Sequence, residues 1–285
     1  MGSLCRSSRS VALEGSRSRL LTANGRTLRQ VRGAIRRAQG VMILTGAGVS
    51  ADSGISTFRD AGGLWNRYRP EELATPQAFQ RDPRVVWEWY DLRRRAVLSC
   101  RPNRGHKAIA QLLLSREDVT LATQNVDGLH QRAFEEATDS SFMPPAALDR
   151  DSDRTLELHG SILRTRCSVC DMSQQEYESV DTSDVDALPH CLDCGAMMRP
   201  DVVWFGESLD GSVLELAFEA ARVAEVCIVA GTSAVVQPAA SIPLATRDSG
   251  GIVVEVNTED TPLTSLSIWS LRGSSAEVLP QILGS

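Results

Sequence analysis

The sequence lacks any apolar run long enough to cross a bilayer, since runs such as "VMIL" and "VCIVAG" fall far short of the roughly 20 residues required. It shows no apolar signal-peptide core, and Arg6 breaks the pattern for N-myristoylation. Lysine is nearly absent, because only Lys107 among 30 basic residues is a lysine; we attribute this to codon usage and draw no function from it. The net charge of −6 argues, weakly, against a nucleic-acid-binding surface.

The basic residues are concentrated at the start of the chain. Residues 1–40 carry nine arginines and one acid, Glu14, so the rest of the chain has a net charge of −6 − 8 = −14. The segment 1–26 is rich in Arg and Ser and poor in acids, which is typical both of mitochondrial presequences and of disordered basic tails. We expect a location in the mitochondrial matrix, with cytosol and nucleus as alternatives.

Four of the seven cysteines form two C-x-x-C pairs that predict a metal site. The absence of a secretory signal argues against a disulfide framework. Two such pairs about 20 residues apart are typical of one tetrahedral zinc with four thiolate ligands, and a full set of cysteines indicates a closed, structural site. The alternative, four free thiols in chance register, is the weaker reading. The predicted ligands are Cys167, Cys170, Cys191 and Cys194.

Short apolar strands alternate with helical patterns along most of the chain, which predicts an α/β fold with a doubly wound, Rossmann-like parallel sheet. Strands are predicted at "VMILTG", "VTLATQ", "EVCIVAGTS" and "GIVVEVN", and helices at 27–39, 83–99, 105–115 and 213–224. The cysteine region interrupts this alternation. We therefore expect a large domain formed by residues 27–164 and 200–285, with a small zinc-binding domain, 165–199, inserted into it.

Polar sequences follow four of the predicted strands. "GAGVSADSGISTFRDAGGLW" follows the first strand, and "TQNVDGLH", "AGTSAVVQP" and "VNTE" follow or end the others. Ligands of open α/β sheets bind at the carboxyl ends of strands, so we expect these four clusters to form one pocket. Glycines at the first strand end are typical of a phosphate-holding turn, although Ala51 occupies the third glycine position of a G-x-G-x-x-G motif.

The chain resembles the sirtuins, the NAD-dependent protein lysine deacylases, from about residue 27 to its end. The motifs that carry the resemblance are "GAGVSADSGISTFR", "TQNVDGLH", "LELHGS", "CSVC…CLDC", "RPDVVWFGE", "GTSAVVQPAA" and "VEVNTE". The segment 134–154 departs from the family, because it is longer than is usual before the "HGS" histidine. It puts loop-mediated regulation in doubt and leaves the core chemistry untouched.

The resemblance implies that NAD is a reactant: the bond between nicotinamide and ribose is cut, and the substrate's acyl oxygen attacks the ribose. It also implies His159 as the catalytic base, although a lone histidine after "LEL" is more often a packing residue. The residues it assigns to NAD are Gly46, Ala47, Gly48, Ser50, Ser53, Phe58, Arg59, Gly62, Trp65, Gln124, Asn125, Val126, Asp127, Gly231, Thr232, Ser233, Asn257, Thr258, Glu259 and Ser275. His106, His130 and Asp52 are assigned no catalytic role.

The segment "WEWYDLRRR" is similar to the acyl pocket of class III sirtuins, in which a Y-x-x-R pair grips an acidic acyl group. Tyr90 and Arg93 are three residues apart and so share one helix face, and Ala74 matches the small residue that leaves the pocket roomy. The alternative is that Arg93 belongs to a solvated triple-arginine run. The similarity implies malonyl, succinyl or glutaryl lysine as substrate, ahead of acetyl lysine.

The implied function is the removal of acidic acyl groups from protein lysines, with release of nicotinamide and 2′-O-acyl-ADP-ribose. The alternatives are a general deacetylase, an ADP-ribosyltransferase with the same fold, a non-enzymatic NAD sensor and a dehydrogenase. An intact His159 and a complete "QNVD" argue against a sensor, and the zinc insert argues against a dehydrogenase. The expected partners are acylated lysine side chains of proteins, with neither nucleic acid nor membrane insertion; the sequence leaves the oligomeric state open.

Overall fold

The fold is taken from a computed structural model that describes residues 21–22, 25–55, 70–138, 154–170 and 172–284, with the side chains of residues 21, 22, 70 and 71 left out. The predictions for the segment 1–20, and for Phe58, Arg59, Gly62 and Trp65, therefore lie outside the described residues. Among the described helices, none combines the length and the apolar character that a membrane span requires.

Nine α-helices and ten β-strands make up the described part of the chain. The strands are β1 (Leu21–Thr22), β2 (Val41–Thr45), β3 (Val119–Thr123), β4 (Thr155–Glu157), β5 (Gly160–Cys167), β6 (Ser173–Gln175), β7 (Met198–Val202), β8 (Val226–Ala230), β9 (Ile252–Asn257) and β10 (Trp269–Arg272). The helices are α1 (Gly25–Arg37), α2 (Pro70–Leu73), α3 (Pro76–Arg81), α4 (Pro83–Ser99), α5 (Arg104–Ser115), α6 (Leu129–Ala137), α7 (Gly211–Val223), α8 (Ile242–Asp248) and α9 (Ser275–Leu283).

Seven strands form one parallel sheet in the order β1-β10-β9-β8-β2-β3-β4. β2 and β8 are buried at every position, because helices cover the sheet on both faces. One core packs α1, α5 and α9 against one face, and a second core packs α7 and α8 against the other. The predicted doubly wound parallel sheet is confirmed.

A three-stranded antiparallel sheet, β6-β5-β7, forms a small module that leaves the large sheet after β4 and returns before α7. Its strands run from Gly160 to Val202, and the four cysteines lie at one end of it. α4 packs against this module and shares a core with it. The strands of this module extend a few residues beyond the range 165–199, and the predicted bounds of the small domain stay a prediction.

Candidate active site

The loops that follow β2 and β8 pack backbone against backbone. Gly48 N donates to Gly231 O at 2.7 Å, and a Cβ built on Gly48 would lie 2.8 Å from the Gly231 Cα. Gly231 has φ +61°, which an L side chain rarely adopts, so glycine is required at both positions. Gly46 is as tightly packed, because its Cβ would meet Thr232 at 2.7 Å. These glycines bring two of the four predicted polar clusters into direct contact.

A buried hydrogen-bond network joins the β2 loop to the loop after β3. Ser50 Oγ donates to Asp127 Oδ2 at 2.7 Å and accepts from Asn125 Nδ2 at 3.2 Å. His106 accepts from Asn103 N through Nδ1, so its Nε2 carries the proton and donates to Ser50 Oγ at 3.3 Å. Burial lowers the pKa of His106 to about 4 and raises that of Asp127. His106 is neutral near pH 7 and fixes the orientation of the Ser50 hydroxyl.

His159 is half-buried at the end of β4 and points one ring nitrogen at backbone. Its Nδ1 lies 2.9 Å from Gln124 O. A carbonyl can only accept, so Nδ1 carries the proton and Nε2 holds the free lone pair. Burial holds the pKa of His159 below its ordinary value of 6.5, against the opposing effect of the Gln124 hydrogen bond. The imidazole is therefore neutral near pH 7 and can accept a proton at Nε2.

The same polar surface continues onto the loops after β8 and β9. Gln124 Nε2 donates to Thr232 Oγ1 at 2.9 Å, and Asn257 Nδ2 donates to Thr232 O at 2.7 Å. Gln124, Thr232 and Asn257, from three strand ends, are thus hydrogen-bonded in a row through the hydroxyl and the backbone carbonyl of Thr232. Amide, hydroxyl, carboxylate and imidazole groups in such a row suit a ligand that carries ribose hydroxyls and a carboxamide, as a nicotinamide dinucleotide does.

The remaining predicted NAD residues lie on the loops after β2, β3, β8 and β9, except Ser275, which starts α9. Ser53 Oγ accepts from Asn103 Nδ2 at 2.9 Å, and Thr258 N donates to Asn257 Oδ1. Glu259 and Thr258 are exposed, whereas Ser275 is buried at the start of α9. Ala47 and Ser233 are half-buried in the β2 and β8 loops, and Val126 O accepts from Ile162 N. Their contacts to NAD stay a prediction.

Tyr90 and Arg93, two of the three predicted acyl-binding residues, lie on α4 beside the small module, and buried Ala74 follows α2. Tyr90 is fully buried, and its hydroxyl accepts from Trp204 Nε1 at 3.0 Å, which leaves its own proton for another acceptor. The Arg93 guanidinium lies 4.6 Å from the Trp89 ring centroid and 5.6 Å from that of Tyr90. Burial lowers the pKa of Arg93, against the opposing influence of Tyr90 and Asp127. Arg93 is thus half-buried against two aromatic rings, in contrast with the exposed Arg95.

Trp204 is a residue of this site that sequence reasoning did not single out. It packs on Phe79 with ring centroids 5.3 Å apart, and the Arg199 guanidinium lies 3.4 Å from its ring centroid. Phe205, the next residue, donates its N–H to Ala74 O at 2.9 Å, which fixes the backbone beside the predicted roomy position. The signal was present in "RPDVVWFGE", but the motif alone does not show that its tryptophan meets Tyr90.

The four cysteines of the small module converge on one point. Their sulfur atoms lie within 4.8 Å of one another, with Cys167–Cys194 at 3.4 Å and Cys170–Cys191 at 3.5 Å. Four thiolates around zinc, with Zn–S bonds of about 2.3 Å, stand about 3.8 Å apart, so the cluster fits this metal. The N–H groups of Cys170 and Val169 donate to Cys167 Sγ and lower the pKa of that thiol to about 6. The cluster is consistent with one structural zinc.

Removing a zinc ligand is expected to unfold the small module. Cys191→Ser deletes one thiolate, and ligand and metal together supply the folding free energy of such modules, on the order of 10 kcal/mol. The zinc content should fall from one per chain to near zero, and the thermal transition should broaden. Cys100→Ser is the matched control, because Cys100 lies outside the cluster. A well-folded wild-type protein without zinc would contradict the assignment.

Comparison with known proteins agrees with this geometry. The model of the Sir2 family matches residues 46–142 and 146–238. NAD-dependent protein deacylase 1 of Archaeoglobus fulgidus is 46% identical over 243 residues, which cover 85% of this chain and 91% of the relative. The chain belongs to the Sir2 family. The NAD-dependent protein deacylase of Aquifex aeolicus is also 46% identical, with 85% of this chain and 93% of the relative covered.

Solved structures of relatives in complex with ligands are similar to this Sir2-family chain. A Sir2 homologue in complex with NAD has a TM-score of 0.78 and 44% identity, with 90% of this chain and 92% of that chain covered. A Sir2 complex with a p53 peptide and NAD⁺ has a TM-score of 0.74 and 28% identity, with 90% and 97% covered. The row of polar groups at the strand ends thus belongs to a family with members that bind NAD.

Proposed function

We propose that this Sir2-family protein is an NAD-dependent protein lysine deacylase that prefers acidic acyl groups. The observation that carries the acyl preference is the pair of Tyr90 and Arg93, which packs against Trp89 and Trp204, with Asp127 close enough to raise the pKa of Arg93 against the effect of burial. An arginine fork binds a carboxylate through two parallel charge-assisted bonds, and the free Tyr90 proton supplies a third. An acetyl group carries no distal carboxylate for these donors.

A groove of about 960 Å³ offers a route for the substrate peptide. It runs between α3, the small module and α7, and Leu158 and Gly160, the neighbours of His159, line it together with Trp204. The groove therefore passes the residues on either side of His159 and includes the tryptophan that contacts Tyr90. A lysine side chain entering from this groove can present its acyl group to the α4 pocket.

In the proposed reaction, bound NAD supplies an electrophilic ribose carbon from which nicotinamide leaves, and the acyl oxygen is the nucleophile. His159 Nε2 accepts a proton from a ribose hydroxyl, while Nδ1–H is held on Gln124 O. A buried polar wall, formed by Ser50, Asn125 and Asp127, orients the bound reactants and excludes water. Arg93 and Tyr90 hold the distal carboxylate, which sets the position of the reacting oxygen.

The reaction class is tested by product identification. Purified protein is incubated with NAD and peptides of one sequence that carry acetyl, malonyl, succinyl or glutaryl lysine, and products are resolved by mass spectrometry. The proposal predicts nicotinamide, 2′-O-acyl-ADP-ribose and free lysine peptide, with acidic acyl groups consumed first. ADP-ribosylated protein without deacylated peptide would instead identify an ADP-ribosyltransferase. Wild-type protein that prefers acetyl lysine would identify a general deacetylase.

The activity is expected to fall on the acid side of its pH profile only below pH 6.5. A base must be unprotonated, and burial lowers the pKa of His159, so the neutral form predominates throughout the range above 6.5. The kcat/KM for a succinyl peptide should fall tenfold per unit of pH below that lowered pKa and stay flat above it. A profile measured from pH 5 to 9 checks this. An acid limb centred above pH 6.5 would contradict the environment found for His159.

A further inference from the structure

The three consecutive arginines of α4 have three different surroundings. Arg93 faces the aromatic site already described, and Arg95 is exposed, with 57% of its side chain accessible. Arg94 is wholly buried, with none of its side chain accessible. A buried arginine between an acyl-binding residue and a surface residue requires an explanation, because burying a guanidinium costs free energy unless the charge is paired and hydrogen-bonded.

Arg94 is bonded to the small module. Its Nε donates to Ile162 O of β5 at 3.0 Å, and its Nη1 donates to Glu178 O at 3.4 Å. Its paired carboxylate is Asp91, one turn earlier, whose Oδ1 lies 3.9 Å from Nη1 and whose Oδ2 lies 3.1 Å from Arg95 Nε. Asp91 in turn accepts from Val180 N at 3.0 Å, so both members of the pair contact the module. The pair links α4 to two separate segments of that module.

These contacts belong to one stripe of the helix. Trp87, Asp91 and Arg94 are spaced i, i+4, i+7, and Trp87 Nε1 also donates into the module, to Met198 O of β7 at 3.1 Å. Tyr90 and Arg93 occupy the neighbouring stripe. Any rotation of α4 about its axis therefore moves the acyl-binding side chains, and the bonds of the first stripe oppose that rotation.

We propose that Arg94, paired with Asp91, is a positioning residue for acyl selectivity: it fixes the rotation of α4 on the small module and so aims Tyr90 and Arg93. This inference rests on the proposed acidic-acyl function. On a helix about 6 Å in radius with its side chains, a rotation of about 10° displaces an outer atom by about 1 Å. A displacement of about 1 Å in a positioning contact can cost on the order of a hundredfold in rate.

A purely structural contact here would not need a charge. Replacing a buried ion pair by apolar residues of similar volume is often neutral for stability, whereas hydrogen bonds with fixed directions specify one arrangement. Ile162 O and Glu178 O can accept only from a donor aimed at them. The guanidinium therefore fixes direction in a way that a leucine or methionine in the same space would not.

The test changes each arginine of the triplet to methionine and measures kcat and KM with succinyl and acetyl peptides of one sequence. For Arg94→Met we expect kcat/KM on the succinyl peptide to fall about tenfold or more, mainly through KM, because the carboxylate contacts lengthen. The acetyl peptide and the KM for NAD should change by less than about threefold, because neither uses the α4 pocket charge. Arg84→Met is the matched control, because Arg84 is an exposed arginine of the same helix outside the Asp91 pair, and both activities should stay within about twofold of wild type.

Four results would overturn the inference. Equal losses on both peptides would show a structural role, and an unchanged ratio of the two activities would show no role in selectivity. If Arg93→Met abolishes the preference for the succinyl peptide but Arg94→Met preserves it, the Arg94 inference is refuted and the proposed function stays intact. Wild-type protein that prefers acetyl lysine would refute the proposed function, and the inference would fall with it. If Arg94→Met does not fold, Asp91→Asn decides by the same ratio, since it removes the balancing charge with little change of shape.

Discussion

Replacing Arg93 with methionine is expected to lower kcat/KM for succinyl-lysine peptides by two orders of magnitude or more. The variant leaves the carboxylate of the bound substrate buried without its cation, and truncating one member of such a pair costs about 3–5 kcal/mol, with each 1.4 kcal/mol equal to a factor of ten. Deacetylation should be unchanged or improved, because an acetyl group makes no ionic contact with Arg93. The measurement is the pair of kcat/KM values on succinyl and acetyl peptides of the same sequence.

Arg93 is assigned to acyl recognition only if the loss of activity in Arg93→Met is confined to the succinyl peptide. Arg84→Met removes an equal charge from an exposed position of the same helix, outside the Asp91 pair, and should change neither activity. A second variant, Tyr90→Phe, removes only the hydroxyl that accepts from Trp204, and should cost the succinyl peptide about tenfold as one hydrogen bond to a charged group. Equal losses of both activities in Arg93→Met would show that Arg93 supports the fold and does not read the acyl group.

His159→Ala is expected to lower kcat by about a hundredfold or more on every acyl peptide, because general-base catalysis contributes about 10²–10⁴. The loss should be the same for succinyl and acetyl substrates, in contrast with Arg93→Met, since the proton is taken from the ribose in both. NAD should still bind, because the side chain bonds only to Gln124 O among the described residues. Steady-state kinetics together with calorimetric NAD titration separate the two effects.

The buried histidines of the network provide a comparison for that variant. The rings of His106 and His130 pack at a tilt, with centroids 4.7 Å apart, and burial places the pKa of each far below 6.5. Their nitrogens face Ser50 and Thr45, so neither is placed to take a proton from a ligand directly. Near-normal turnover in His159→Ala would show that the base lies elsewhere, and the Nε2 assignment would be wrong.

Much of the large domain could be predicted because its signals are local. α4 begins at Pro83, where the Asp82 side chain accepts from Val85 N, and ends at Ser99, which are the predicted limits. The apolar runs of β2, β3, β8 and β9 are short and continuous, as buried parallel strands are. The four strand ends were expected to form one pocket, and hydrogen bonds join all four of them.

Other features depend on contacts that no local pattern encodes. β10 is only four residues long, and α9 contains Pro280, so neither has a clear periodic signal. Buried Glu255 accepts from Thr264, Ser270 and Arg272, and this set becomes visible only when β9 and β10 pair. The different exposure of the arginines in the triplet also depends on such contacts, because the small module buries Arg94 and leaves Arg95 exposed.

The central claim, an acidic-acyl preference set by the α4 pocket, is tested most directly by competition. Succinyl and acetyl peptides of one sequence, distinguished by an isotopic label, are mixed in equal amounts with NAD and limiting enzyme, and the two deacylated products are counted by mass spectrometry at low conversion. Their ratio is the ratio of the two kcat/KM values. We predict a succinyl product in excess by at least about tenfold, consistent with one desolvated ionic contact. An equal yield, or an excess of the acetyl product, would contradict the account.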